Sequence, residues 1–505
     1  MITIIDCGSQ LTHNIARRVR ELGVYTEIVP YHTNPATIKS PNLEGLVISG
    51  GQFGVYDSES PQVSPTVFDF GVPVLGICYG HQLVAHLLGG RVVPSKKREY
   101  GETHVFLTKE SPLFTALPKN FYAWMSHGDV VAEVPAGFEV TAESNNGHIA
   151  AMQKGNIFSV QFHPEVDHTQ DGRRILENFI DICNAQRTWN PEAAFERIVA
   201  ETTEKIKGKV GVGGISGGVD STTASVLIGK IAGSNYHPIF VDNGLLRHNE
   251  AQEVLASLEP FGLHVHFVDA ASLFLSRLQG VTDPDEKRKI IGNTFIEVFE
   301  AEARKIPRAS YLVQGTLYPD VIESVPIYGA SSKIKRHHNV GGLPEHMELE
   351  VVEPLRTLFK DEVRDIATRK LGMPKEIVWR HPFPGPGLAV RIIGAVTPER
   401  LRILRHADNI YITELQNRGL YYDIDQAFAV LMDTQSVGVM GDAGTYQGVI
   451  GLRAVTTNDF MTADWYPFER RDLAAIANRI INEVKGVNRV VYDVSQKPPA
   501  TIEWE

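Results

Sequence analysis

Short apolar runs that stop at glycine, serine or aspartate and give way to helically spaced residues recur from the start of this 505-residue chain to about position 370. Residues 2–5, 45–49 and 73–77 are such runs. Between the first two, Ile15, Val19 and Leu22 share one helical face. An apolar run without alternation fits a strand of a parallel sheet, buried on both faces. Strands alternating with helices predict an open α/β sheet, whose ligands bind beyond the carboxyl ends of the strands. The pattern resumes with strands expected over 209–215, 238–241 and 264–268. Farther on, strand-like runs at 426–432, 449–455 and 489–493 flank a helical pattern over 470–484. The fold class expected is therefore α/β: two open, mostly parallel-sheet domains followed by a small α+β domain.

At roughly 150 residues per domain the length suits about three domains. An Asn-Pro step within 184–192 marks a linker, and Pro382, Pro384 and Pro386 interrupt any helix over 380–387. The expected division is 1–187, 188–380 and 381–505. Hydrophobic residues make up 43% of the chain, which excludes a disordered or fibrous protein. A net charge of −11 argues against a general nucleic-acid-binding face, while leaving room for a local basic pocket. No apolar run is long enough to span a membrane, and the start lacks the basic and apolar regions of a signal peptide. Three cysteines, Cys7, Cys78 and Cys183, make no disulfide framework. A cytoplasmic location is expected.

Two strand ends carry chemistry. The first reads Gly-Ile-Cys78-Tyr79-Gly, between an apolar run and a helical pattern. A nucleophile on a strand-to-helix turn stays exposed, and the helix amino terminus favours its thiolate. A buried structural cysteine is the plainer alternative. It loses ground because residues 157–162 form a strand followed at once by His163 and Glu165, a base and its orienting acceptor. Ser49-Gly50-Gly51 ends a third run, where backbone N–H groups can approach an oxyanion. The second site is Ser216-Gly217-Gly218-Val219-Asp220-Ser221-Thr222, after a strand and before a helix. Its backbone N–H groups can wrap a phosphate and its hydroxyls can donate, while Asp220 suits Mg²⁺. A Walker A ending is absent. A cationic stretch follows at 333–339, with adjacent His337 and His338. Neighbours on an extended segment point apart, so cations over phosphates fit it better than a metal site.

Residues 1–185 resemble the class I glutamine amidotransferases. That resemblance implies Cys78 as nucleophile, His163 as base, Glu165 as its orienter, and Gly51 and Tyr79 as oxyanion donors. Gln52 and His81 depart from residues common in that family. The string from Ser216 to Ser221 resembles the N-type ATP pyrophosphatase loop, which implies ATP bound over 216–222 with Mg²⁺ at Asp220. Val241, at the end of the next strand, would then lie beside the nucleoside. Together with the terminal Lys497-Pro-Pro-Ala-Thr-Ile-Glu-Trp-Glu505, the whole chain is similar to the glutamine-hydrolysing GMP synthases. What that implies is amination of xanthosine monophosphate (XMP) by ammonia from glutamine, and a homodimer formed through the third domain. Arg288, Gln426, Asp442, Lys497, Ile502 and Glu503 are the implied XMP contacts. Arg336 stands where the family often has serine. The proline and tryptophan residues of the terminal string predict a docked tail rather than a disordered one.

Overall fold

The computed structural model describes residues 1–323, 349–440, 443–457, 460 and 462–505. The chain forms two compact units, one built on Met1–Ala194 and the other on Phe195–Tyr318 and residues 349–505.

In the first unit nine strands form one sheet: β1 (Ile2–Asp6), β2 (Thr26–Pro30), β3 (Gly45–Ile48), β4 (Val74–Ile77), β5 (Arg91–Leu107), β6 (Asn120–Glu133), β7 (Glu139–Ser144), β8 (Ile149–Lys154) and β9 (Ile157–Val160). Their order is β2-β1-β3-β4-β9-β8-β7-β5-β6. The β2-to-β9 half is parallel, as the apolar runs require, and every residue of β1, β3 and β4 is buried. The other half, β5 to β8, is antiparallel and was not expected. Its long strands mix buried and exposed positions because one face meets solvent, with regular alternation only over residues 120–127 of β6. The pairing of β4 with β9 matters most for function. Ile77 lies opposite Val160, so the residues that follow each strand emerge side by side.

The second unit holds two sheets. In the first, β10 (Val210–Gly214), β11 (Tyr236–Asp242), β12 (His266–Asp269), β13 (Ala309–Val313) and β14 (Glu350–Val352) are all parallel, in the order β12-β11-β10-β13-β14. The strand order reverses at β10, which makes its carboxyl end the crevice of the sheet. In the second, β15 (Gln426–Met440), β16 (Ala443–Thr456) and β17 (Asp464–Trp465) are antiparallel, and β18 (Val487–Tyr492) pairs in parallel with β16. Helices Pro398–Asn417 and Arg470–Glu483 pack on it. One apolar core runs from Val212 and Ile239 through Leu388 and Ile392 to Ile450 and Ile480. The proline-punctuated stretch around residue 380 is thus lined by a continuous core on either side.

Candidate active site

In the first unit, Cys78 caps the helix Tyr79–Leu87 with φ 54° and ψ −103°, a backbone conformation that L-residues rarely adopt. Its amide is fixed by the Val160 carbonyl at 2.9 Å, and the Gly80 amide bonds to Ser49 O at 3.0 Å. A side chain at Gly80 would collide with the Ile48 carbonyl, so the turn needs glycine there. His163 leaves β9 with its amide on Trp124 O at 3.0 Å. Its Nδ1 lies 2.7 Å from Glu165 Oε1, and both side chains are buried. Burial disfavours the imidazolium, but the facing Glu165 and Cys78 overcome that and hold the His163 pKa well above the usual histidine range. The Cys78 thiol also donates to the Ser126 carbonyl at 3.7 Å. Gly51 stands beside Tyr79, since a Cβ at Gly51 would lie 3.1 Å from the Tyr79 ring. Thiol, imidazole and carboxylate therefore lie at adjoining strand ends, with Gly51 and Tyr79 packed together beside Cys78, an arrangement suited to acyl transfer through a thioester. Of the two departures, Gln52 is exposed. His81 is fully buried and bonded to Ser159 Oγ at 2.9 Å, so it belongs to the packing of the helix.

In the second unit the loop 216–222 caps β10. Gly217 takes φ +79°, which suits glycine. Within the loop the polar groups bond to one another. Ser216 N donates to Ser221 Oγ at 3.2 Å, the two hydroxyls are 3.0 Å apart, and Ser221 Oγ reaches Gly218 O at 3.3 Å. The Thr222 hydroxyl is buried and has no partner among the described residues. Val241 is the penultimate residue of β11, the neighbour of β10, and the following Asp242 and Asn243 side chains accept from the amides of Gly244 and Leu245.

Two cations near this loop were missed. Lys360 lies 3.7 Å from Asp220 Oδ2. A Cβ on Gly217 would stand 3.4 Å from Arg380 Nη1, and Arg380 pairs with the buried Glu250 at 2.9 Å. Lys360 did leave a signal. It opens the helix Lys360–Arg369, where a cation runs against the helix dipole and suits an anion close by. Among the described residues no group of three or more His, Cys, Asp or Glu side chains is placed to hold a metal by itself. The carboxylate and hydroxyl oxygens at Asp220 and Thr222 are hard donors, the kind that share Mg²⁺ with nucleotide phosphates.

The terminal string is docked, as its composition predicts. Lys497 exchanges both backbone bonds with Ala463, and its ammonium donates to Phe460 O at 2.6 Å. Ile502 is buried in an apolar cluster with Phe428, Val430 and Val455. Glu503 accepts from Gln426 Nε2 at 2.7 Å and from Arg391 at 2.8 and 3.0 Å. Arg288 donates to the Glu505 carbonyl, and the neighbouring Lys287, fully buried, pairs with the Glu505 carboxylate. Gln426, Ile502 and Glu503 thus converge, while Arg288 and Lys497 engage the same tail at other points. Asp442, Arg336 and the cationic stretch 333–339 lie outside the described residues.

Known proteins match the chain as follows. Residues 3–183 match the family "Glutamine amidotransferase class-I", and residues 413–504 match "GMP synthase C terminal domain". The class so defined is an amidotransferase unit fused to a synthetase module. Curated proteins named "GMP synthase [glutamine-hydrolyzing]" align with the entire chain and with 99% of their own lengths. Identity is 52% over 513 residues for that of Chlorobium chlorochromatii, 55% over 511 for Solidesulfovibrio magneticus and 52% over 515 for Pelodictyon phaeoclathratiforme. The chain belongs to the glutamine-hydrolysing GMP synthase family.

Proposed function

We propose that the two sites run the two halves of one amination, with the roles that follow. As a member of its family the chain is a carbon–nitrogen ligase of guanine nucleotide synthesis. It converts XMP to GMP with ATP, through adenylated XMP, using ammonia from glutamine. Cys78 attacks the glutamine carboxamide. His163 takes the thiol proton and returns it to the leaving ammonia, while Glu165 fixes the ring and stabilises its charge. The N–H groups of Gly51 and Tyr79 hold the oxyanion, and water then hydrolyses the thioester to glutamate. The raised pKa of His163 fits a base that must carry its proton until the amine leaves.

Residues 216–222 cradle ATP, Val241 lines its nucleoside, and Asp220 and Thr222 would hold Mg²⁺. The metal would supply charge neutralisation on the phosphate oxygens. The C2 oxygen of XMP attacks the α-phosphate, pyrophosphate leaves, and ammonia then displaces AMP. Gln426, Lys497, Ile502, Glu503, Arg288 and Asp442 bind XMP. Arg288 and Lys497 are suited to its phosphate. By function the chain divides at 1–187, 188–380 and 381–505 into ammonia source, adenylating domain and acceptor domain. Val437 and Tyr446, cross-strand partners on β15 and β16, are 73% and 65% exposed, which supports a homodimer through this sheet. No helix among the described residues is long and apolar enough to cross a membrane, in keeping with a cytoplasmic enzyme.

The observation that carries the reading is the meeting of Cys78 with the His163–Glu165 pair at adjoining ends of β4 and β9. The acceptor is tested with ATP, XMP and ammonia by following the absorbance change from XMP to GMP. Turnover is expected, and its absence would overturn the assignment of XMP.

A further inference from the structure

Arg391 closes the proline-punctuated segment that begins at Arg380. Its side chain is 0% exposed. A fully buried guanidinium is costly unless its charge is paired. Here Nε and Nη2 grip both oxygens of Glu503 at 3.0 and 2.8 Å, while Nη1 has no hydrogen-bond partner among the described residues. Its carbon lies 4.1 Å from the centre of the Phe428 ring and 5.2 Å from that of Phe383. Two aromatic faces and one carboxylate therefore leave the fork a single orientation. Glu503 differs from it in being 21% exposed, so it is the member of the pair within reach of a ligand. Gln426, on β15, reaches the same Oε1 at 2.7 Å. The proline-rich segment, β15 and the docked tail thus meet at one carboxylate.

We propose that Arg391 is a positioning residue for the acceptor nucleotide: it touches no substrate, but fixes the charge and direction of Glu503 and, through it, of Gln426. This rests on the reading of Glu503 and Gln426 as XMP contacts. Lysine cannot replace arginine here, because an ammonium has no fork to hold two oxygens in one plane. The loss should fall on XMP binding and leave the chemistry at the ATP loop nearly untouched.

The test measures ammonia-dependent synthesis in Arg391→Lys, Glu503→Gln and the double variant. Each single change is expected to raise KM for XMP about tenfold, with kcat and KM for ATP within about threefold of the parent. The double variant should be no worse than the worse single variant, because both remove one interaction. If Glu503→Gln leaves KM for XMP unchanged, the reading of Glu503 as a nucleotide contact falls, and the proposal with it. If Glu503→Gln raises KM but Arg391→Lys does not, or the two effects multiply, the contact stands and the positioning role alone is overturned. Should Arg391→Lys fail to fold, Phe428→Leu loosens the same guanidinium. It should raise KM for XMP about threefold with kcat retained, and an unchanged KM would overturn the proposal.

Discussion

The end of β4 and the end of β10 are both strand-to-helix turns, yet they are built to different degrees of completion. At β4 the partners already face one another: the imidazole meets its carboxylate at 2.7 Å, and both are buried. At β10 the serine hydroxyls bond to each other, and Lys360 stands 3.7 Å from Asp220. The difference follows from the chemistry. A covalent catalyst needs its proton-transfer groups aligned in advance. A phosphate site gains its main electrostatic partner only when the anion binds, so its donors rest on one another until then.

Four substitutions sharpen that contrast, the largest effect first. Asp220→Asn removes the carboxylate of the proposed ATP loop. It should lower synthesis by about 10³-fold with either glutamine or ammonia as nitrogen donor, measured as GMP formed. Loss with glutamine alone would mean that the two sites are not separate. Glu165→Gln keeps the shape of the pair but removes its charge. It should cut glutamine-dependent kcat about 10²-fold and spare ammonia-dependent synthesis, as a mis-oriented base would. Lys360→Met should raise KM for ATP about tenfold with either donor, while glutamine binding stays as it was. An unchanged KM would reduce Lys360 to a surface ion pair.

The smallest effect is on stability. Burial pushes the His81 pKa down to about 3. The folded imidazole therefore stays neutral over a range where the unfolded one, with a pKa near 6.5, takes up a proton. Proton uptake by the unfolded chain alone means that stability falls as pH drops from about 6.5 toward 3. His81→Met removes this liability. It should gain about 2 kcal/mol at pH 5 over whatever it changes at pH 7.5, read as a higher melting temperature in the acid buffer with kcat for glutamine unaltered. Equal shifts at both pH values would show that packing, not protonation, sets the effect.

The parallel strands were legible because burial on both faces leaves an unbroken apolar run, as in residues 2–5 and 73–77. That same grammar placed Cys78, His163 and the loop 216–222 at strand ends. The antiparallel half of the first sheet was not legible. Its long strands β5 and β6 are half exposed, and their register shifts between Pro94 and Glu99, so neither apolar run nor clean alternation survives. The residues that complete the second unit's sites were hidden for another reason. Lys360, Arg380 and Arg391 stand far along the chain from Asp220, Gly217 and Glu503, and only the packed core brings them together. The docked tail was read from its prolines and tryptophan, but Arg391, one of the groups that hold it, carried no local mark.

The central claim is that one chain holds two separable catalytic centres joined only by ammonia. Cys78→Ala tests it most directly, assayed with ATP and XMP and either glutamine or ammonia. Synthesis from glutamine should disappear while synthesis from ammonia stays within about twofold of the parent. Continued use of glutamine would show that Cys78 is not the nucleophile, and loss of both activities would contradict the separation of the two sites.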